Sequence, residues 1–141
     1  SAFPFFPKSQ RDLTLVSLNC RSVVNKLSEL CVIAECAKPD IICLTETWLC
    51  PSNPLSLSGY ICIRRDRPPE DNRSAHCSRG YGGVAVLVRS DSFPYVSPRA
   101  DLQRPGCESV WLELGSPSTQ SQNPILLCCM YRPPSQSTMQ L

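Results

Sequence analysis

A layered α+β domain is predicted by three features of the chain: a β-α-β order near its amino end, several further strand-like runs after it, and no internal repeat. Residues 13–18 form the first apolar run. After it Val23, Leu27, Leu30, Cys31 and Ala34 recur at helical spacing, with Asn25, Lys26, Ser28 and Glu29 between them. Ser22 is placed to cap this helix and Pro39 to stop it, so residues 23–38 are predicted helical. Residues 41–45 then read as a second strand, and the connection suits a crossover between parallel strands. Residues 60–64 form a short strand ahead of a polar loop at 65–79. Gly80, Gly82 and Gly83 lead into a strand at 84–88; they permit a bulge or tight turn, and without a following Lys-Ser/Thr and helix they are no phosphate loop. In 109–114, Val110, Leu112 and Leu114 alternate with Ser109, Trp111 and Glu113, the pattern of a half-buried strand. Residues 125–131 complete the set. The prolines at 94–105 and 117–124 mark loops.

A chain of 141 residues suits one domain with its own core. Hydrophobic content of 42% and charged content of 18% separate it from disordered polyanions and basic tails, and a net charge of +2 is too small to announce nucleic-acid binding. The longest apolar run, 125–131, is far below the roughly 20 residues of a membrane span. No charged segment followed by an apolar stretch of roughly 7–15 residues and a cleavage site opens the chain, so a nuclear or cytoplasmic, reducing compartment is expected. The ten cysteines contain no C-x-x-C pair, and the single histidine, His76, completes no zinc site. Cys43, Cys62, Cys128 and Cys129 in strands, and Cys31 and Cys36 in the helix, are read as small hydrophobes. Without an initiator methionine or a terminating element at Leu141, the chain is expected to be a piece of a longer reading frame.

Three strands deliver a polar residue at their carboxyl ends: Asn19 after LTLVSL, Glu46 after IICLT and Tyr131 after ILLCCM. Ligands of mixed α/β folds sit beside strand ends. An amide, a carboxylate and a phenol gathered there suit a metal-bound phosphate better than an acyl or sugar substrate. Taken singly, each has a plain alternative. Glu46 is solvated, paired with an arginine, or a ligand for a hard cation such as magnesium. Asn19 is a turn former or a helper at the metal, and Tyr131 is a core aromatic or a donor to phosphate. Trp48 and Trp111 read as packing residues. Arg64, Arg65, Arg67, Arg73 and Arg79 make one loop basic, a solvated segment or a phosphate-contacting edge.

Read together, LNCRSVVNKLSEL, KPDIICLTETWL, RGYGGVAVLVR, ESVWLEL and LLCCMYRPPSQS stand in an order that resembles the endonuclease/exonuclease/phosphatase family, above all the endonuclease of non-LTR retrotransposons. The resemblance covers roughly residues 13–137, with 1–12 a leader and 138–141 a tail. It implies a four-layered α/β/β/α sandwich of two mixed sheets, here about its first half, and metal-dependent phosphodiester hydrolysis with Mg²⁺ or Mn²⁺. On this resemblance Glu46 is the metal ligand, Asn19 its neighbour orienting metal, water or phosphate, and Tyr131 a partner of the scissile phosphate. DNA is the implied substrate; retrotransposon RNA and the reverse transcriptase domain are implied partners in the full polyprotein. Two departures stand out. Arg21 takes a place that is often acidic in repair-type relatives, and the family's later Asp-x-Asn and Ser-Asp-His segments have no counterpart, His76 lying in the wrong loop. Residues 1–141 alone are therefore expected to be catalytically poor and poorly soluble. The rival readings are a non-catalytic remnant that binds nucleic acid or a partner, another enzyme of this fold (phosphoinositide phosphatase, sphingomyelinase or deadenylase), and a secreted disulfide module.

The architecture carries its own expectation: Leu15, Ile41, Ile42, Val84, Val86, Leu112 and Leu126 buried on strands, the helix outside a sheet, and Asn19, Glu46 and Tyr131 converging.

Overall fold

The computed structural model describes residues 12–68, 81–115 and 124–132. Four strands make a first, mixed sheet in the order β1-β2-β4-β3: β1 (Leu15–Asn19), β2 (Ile41–Thr45), β3 (Tyr60–Arg65) and β4 (Val84–Arg89). β1 and β2 are parallel, as the crossover through the helix requires; the other pairs are antiparallel. β5 (Tyr95–Pro98), β6 (Glu108–Gly115) and β7 (Ile125–Tyr131) form a second, antiparallel sheet.

β2 and β4 are apolar on both faces because both faces are covered. On one side Ile42, Leu44, Ala85 and Leu87 pack against Leu30 and Ala34 of helix α1 (Leu27–Cys36) and against Val23. On the other, Ile41, Cys43, Val84, Val86 and Val88 meet Val110, Leu112, Leu114 and Cys129 of the second sheet. Helix, sheet and sheet are thus three layers of the expected α+β sandwich; no helix lies over the outer face of the second sheet among the described residues.

Several expectations need correction. Leu15 is 49% exposed because β1 is the edge of its sheet, outside the part that the second sheet covers; Leu126 is 51% exposed because it pairs with outward-facing Glu113. Residues 23–26 form a 3-10 turn before the α-helix, and Ser22 makes no side-chain cap. With its φ of 90° Ser22 is held by the backbone pairing described below. Leu27, Cys31 and Cys36 point outward, so the buried helix face is narrower than the apolar spacing suggested. β5 and a 3-10 turn at Ala100–Leu102 occupy a region whose prolines predict a loop. His76, Arg73, Arg79, Gly80, residues 1–11 and the tail after 132 lie outside the described residues. No described helix is long and apolar enough to cross a membrane.

A polar clamp closes the end of the sheet where β2 begins. Buried Asp40 accepts hydrogen bonds from the Thr14 N–H (2.8 Å), the Thr14 hydroxyl (3.1 Å) and the Ser92 hydroxyl, while the Tyr60 hydroxyl donates to the Pro39 carbonyl at 2.6 Å. The carboxylate thereby joins the lead into β1 to the turn after β4. Asp40→Ala strands three donors at once and is expected to cost about 3 kcal/mol; urea denaturation checks this, and a loss under about 1 kcal/mol would show the clamp to be dispensable.

Candidate active site

Pairing between the first two strands runs past their ends. Cys20 N–H donates to the Thr45 carbonyl (2.9 Å), Ser22 N–H to Glu46 (3.0 Å) and Val23 N–H to Thr47 (3.0 Å). From the opposite side, Thr47 N–H donates to the Gly83 carbonyl (3.3 Å) and Trp48 N–H to Gly82 (2.8 Å). The segment 46–48 is therefore fixed between two neighbouring backbones. It is also strained. Of the five described non-glycine residues with positive φ, Arg21 (46°), Ser22 (90°), Glu46 (51°) and Trp48 (55°) lie in these two facing segments, and Lys38 (47°) follows the helix. Such conformations cost on the order of 1–3 kcal/mol each and persist only where surrounding contacts impose them, which is common at functional sites.

The left-handed turn takes Glu46 out of the alternation of β2, and Tyr131, at the end of β7 in the other sheet, donates its hydroxyl to Glu46 Oε1 at 2.7 Å. Asn19 ends β1 directly beside Thr45 in the register, exposed at the same end of the sheet. The structure thus brings Glu46 and Tyr131 into contact. Asn19 stands at the adjoining strand end, with no hydrogen bond to either among the described residues.

Burial, the hydrogen bond to Glu46 and the charges of Glu46 and Glu108 push the Tyr131 phenol up to about 12, against a lowering by Arg67. Because the folded value lies above the ordinary value of 10.0, the contribution of this phenol to stability is complete below pH 10 and is lost as pH rises through about 12. An absorbance titration at 295 nm should show one tyrosine ionising near pH 12 that disappears in Tyr131→Phe; a wild type whose tyrosines all ionise near pH 10 would contradict the contact. Burial likewise pushes the Cys20 thiol up to about 11, with Lys26 lowering it and Glu46 raising it, so it remains protonated at neutral pH and is no nucleophile.

Around this contact lies a set of residues whose part in the site the sequence pattern does not reveal. Glu108, the first residue of β6, stands across from Tyr131 in the register. Its Oε1 accepts the Gly83 N–H (2.8 Å) and Arg67 Nε (3.3 Å), and its Oε2 takes Arg67 Nη2. The guanidinium occupies the space a Cβ on Gly82 would need, and a Cβ on Gly83 would stand 2.5 Å from Thr47 Oγ1. Both glycines have left-handed φ, 74° and 93°. Only glycine meets both demands. Trp48 packs edge-to-face on Tyr81 with centroids 5.0 Å apart, a packing role as expected. The arginines of the loop are not simply solvated: Arg64 binds the Cys50 and Pro51 carbonyls and Asp66, and Arg65 the Cys107 carbonyl.

A divalent cation would meet hard oxygen donors here. Glu46 keeps Oε2 without a hydrogen-bond partner among the described residues, and Asn19 is exposed at the neighbouring strand end, in register with Thr45. These fit magnesium, which needs few protein ligands and retains water or phosphate oxygens for the rest. They do not form a protein cage: no group of three or more His, Cys, Asp or Glu suited to a metal occurs among the described residues.

No protein-family model matches the sequence, and no curated protein matches it. Among solved structures, the AP endonuclease LMAP from Leishmania major superposes with a TM-score of 0.62 at 18% identity, covering 98% of this chain and 47% of that one. A 3′ phosphatase, NExo from Neisseria, bound in its structure to a product DNA hairpin, gives a TM-score of 0.48 at 19% identity over 73% of this chain and 37% of that one. The chain has the α+β sandwich of the endonuclease/exonuclease/phosphatase fold and spans about half the length of the LMAP chain.

Proposed function

We propose that this chain carries the Asn19, Glu46 and Tyr131 part of a metal-dependent phosphodiesterase acting on DNA, and that it belongs to the DNA-nicking endonuclease of a non-LTR retrotransposon. The single observation that carries the reading is the 2.7 Å contact between the Tyr131 hydroxyl and Glu46, made across two sheets at strand ends whose backbone is strained into place. The fold shared with an AP endonuclease supports the general chemistry. The five motifs named above support the retrotransposon assignment, with its RNA and reverse transcriptase as partners and an intracellular setting.

In this reading Glu46, with Asn19, would hold Mg²⁺ or Mn²⁺, which supplies Lewis-acid stabilisation at the phosphoryl group when bound. The chain's own residues position the reactants. Tyr131 remains a neutral phenol at neutral pH, so it is a hydrogen-bond donor there, and it also fixes the rotamer of Glu46. Asn19 offers an amide that donates to a phosphate oxygen or orients water. The strained backbone presets these groups, so little reorganisation accompanies substrate binding.

The test joins this chain to a C-terminal half carrying the Asp-x-Asn and Ser-Asp-His segments and incubates it with supercoiled plasmid and Mg²⁺. Nicking that disappears with EDTA and in Glu46→Ala is expected, with residues 1–141 alone inert. Tyr131→Phe should slow nicking by roughly 10-fold or more while leaving metal affinity within about twofold. Equal nicking by wild type and Glu46→Ala would refute the proposal.

A further inference from the structure

Arg67 and Glu108 form a built unit beside the Glu46–Tyr131 contact. The carboxylate grips the guanidinium through Nε and Nη2 in a two-bond fork, and the same carboxylate caps the Gly83 N–H. Arg67 lies against Gly82, where no side chain intervenes, and Gly82 and Gly83 in turn hold the backbone of Trp48 and Thr47, next to Glu46. Glu108 is cross-strand from Tyr131, and the charges of both Arg67 and Glu108 are felt at the Tyr131 phenol. The unit therefore borders the candidate site directly. Nη1 of Arg67 has no hydrogen-bond partner among the described residues, and the side chain remains 22% exposed.

We propose that Arg67, held in place by Glu108, is a phosphate-binding residue of this cleft, presenting Nη1 to a non-bridging oxygen of a DNA phosphate next to the one bound at Glu46 and Tyr131. This rests on the phosphodiesterase reading for the location of the substrate. Stability alone is a poor reason for the pair, since desolvation of two largely buried charges offsets most of their attraction. As a device for orientation it is effective: a guanidinium whose Nε and Nη2 are already committed has lost its rotamer freedom before the phosphate arrives, and its planar fork suits phosphate oxygen geometry. Arg64 offers a contrast, because its Nη2 is divided between two carbonyls and Asp66 and serves to anchor the 50–51 turn. The backbone at Gly83 cannot substitute for Arg67, its N–H being taken by Glu108.

The experiment uses the 141-residue chain in EDTA with a fluorescein-labelled duplex of about 12 base pairs, and reads anisotropy over a series of KCl concentrations. Arg67→Gln is expected to weaken binding about tenfold at low salt and to reduce the slope of log K against log[KCl] by about one, the signature of one lost phosphate contact. Arg67→Lys should retain the slope while losing affinity, because charge remains and the fork does not. Glu108→Gln keeps an acceptor for Gly83 N–H and removes the competing charge, so its slope should stay at the wild-type value. An Arg67→Gln slope equal to that of the wild type would reduce Arg67 to a structural role and overturn the proposal. A second measurement avoids any variant: thymidine 3′,5′-bisphosphate should shift the Arg67 Nε–H resonance of the wild-type chain, and an unmoved resonance also overturns it. Since no metal is present, Arg67-dependent phosphate binding by this chain, together with no Glu46-dependent nicking by the completed domain, would refute the catalytic reading and leave Arg67 standing. The reverse pattern would refute Arg67 alone.

Discussion

Glu46→Gln is expected to lower the affinity of the chain for Mg²⁺ by at least about tenfold and, in a completed domain, to slow phosphodiester cleavage by roughly 10²–10⁴-fold, the range that follows when several kcal/mol of metal-centred stabilisation are lost. The substitution removes one negative charge and almost nothing else. Gln retains an Oε1 that accepts the Tyr131 hydroxyl, so the cross-sheet contact of 2.7 Å and the strained turn that supports it should survive. Isothermal calorimetry with Mg²⁺ measures the first effect, and unchanged thermal unfolding establishes that the fold is intact. Unaltered affinity would remove Glu46 from the list of ligands. Tyr131→Phe provides the counterpart, since it leaves the charge and deletes the donor.

Gly83→Ala is expected to be the most damaging of the small substitutions, at about 3–5 kcal/mol. Two costs add: a Cβ at φ 93° is strained in itself, and it would stand 2.5 Å from Thr47 Oγ1. Thr47 is fully buried, and its hydroxyl has no hydrogen-bond partner among the described residues, so the side chain has little room to retreat. Its backbone is the link between Gly83 and Glu46, which means that any shift passes to the carboxylate. Urea denaturation of the chain gives the loss of stability, and a Gly83→Ala protein within about 1 kcal/mol of wild type would show that the turn relaxes freely. Gly59→Ala is the control: its φ is also positive, but nothing lies within 4 Å, so only the backbone cost applies.

The strand that leads to Glu46 was legible because burial on both faces leaves a continuous apolar run, and the chain must become polar where the run ends; the run that ends on Tyr131 is as apolar although Leu126 and Met130 on one face are exposed. Ile41–Thr45 and Ile125–Tyr131 have the bounds that this argument assigns. Leu15 and Leu126 show what such a run cannot say. An apolar residue on an edge strand, or on the outer side of a hairpin, has the same local pattern as a core residue, and only the span of the opposing sheet separates them. Tyr95–Pro98 was hidden for a different reason: a strand bracketed by Pro94 and ending on Pro98 looks like a loop, yet proline is tolerated on an edge strand, which β5 is. The Arg67–Glu108 pair spans 41 residues and depends on the register of β6 against β7. Glu108 opposite Tyr131 would have been readable had that register been known. The number of residues between these strands leaves that register open from sequence alone. The turn at 46–48 leaves no mark at all, since neither Glu nor Trp favours positive φ and the conformation is imposed by Ser22, Val23, Gly82 and Gly83 on its two sides.

Manganese offers the most direct measurement on the central claim, that Asn19, Glu46 and Tyr131 surround a divalent cation. Substoichiometric Mn²⁺ added to the ¹⁵N-labelled chain broadens amides according to their distance from the ion. The expected result is early loss of the Asn19, Cys20, Glu46, Thr47 and Tyr131 amide signals, with Asp40 and Ser92 at the far end of the sheet unaffected and the pattern abolished in Glu46→Gln. Broadening centred elsewhere, or the same pattern in wild type and Glu46→Gln, would contradict it.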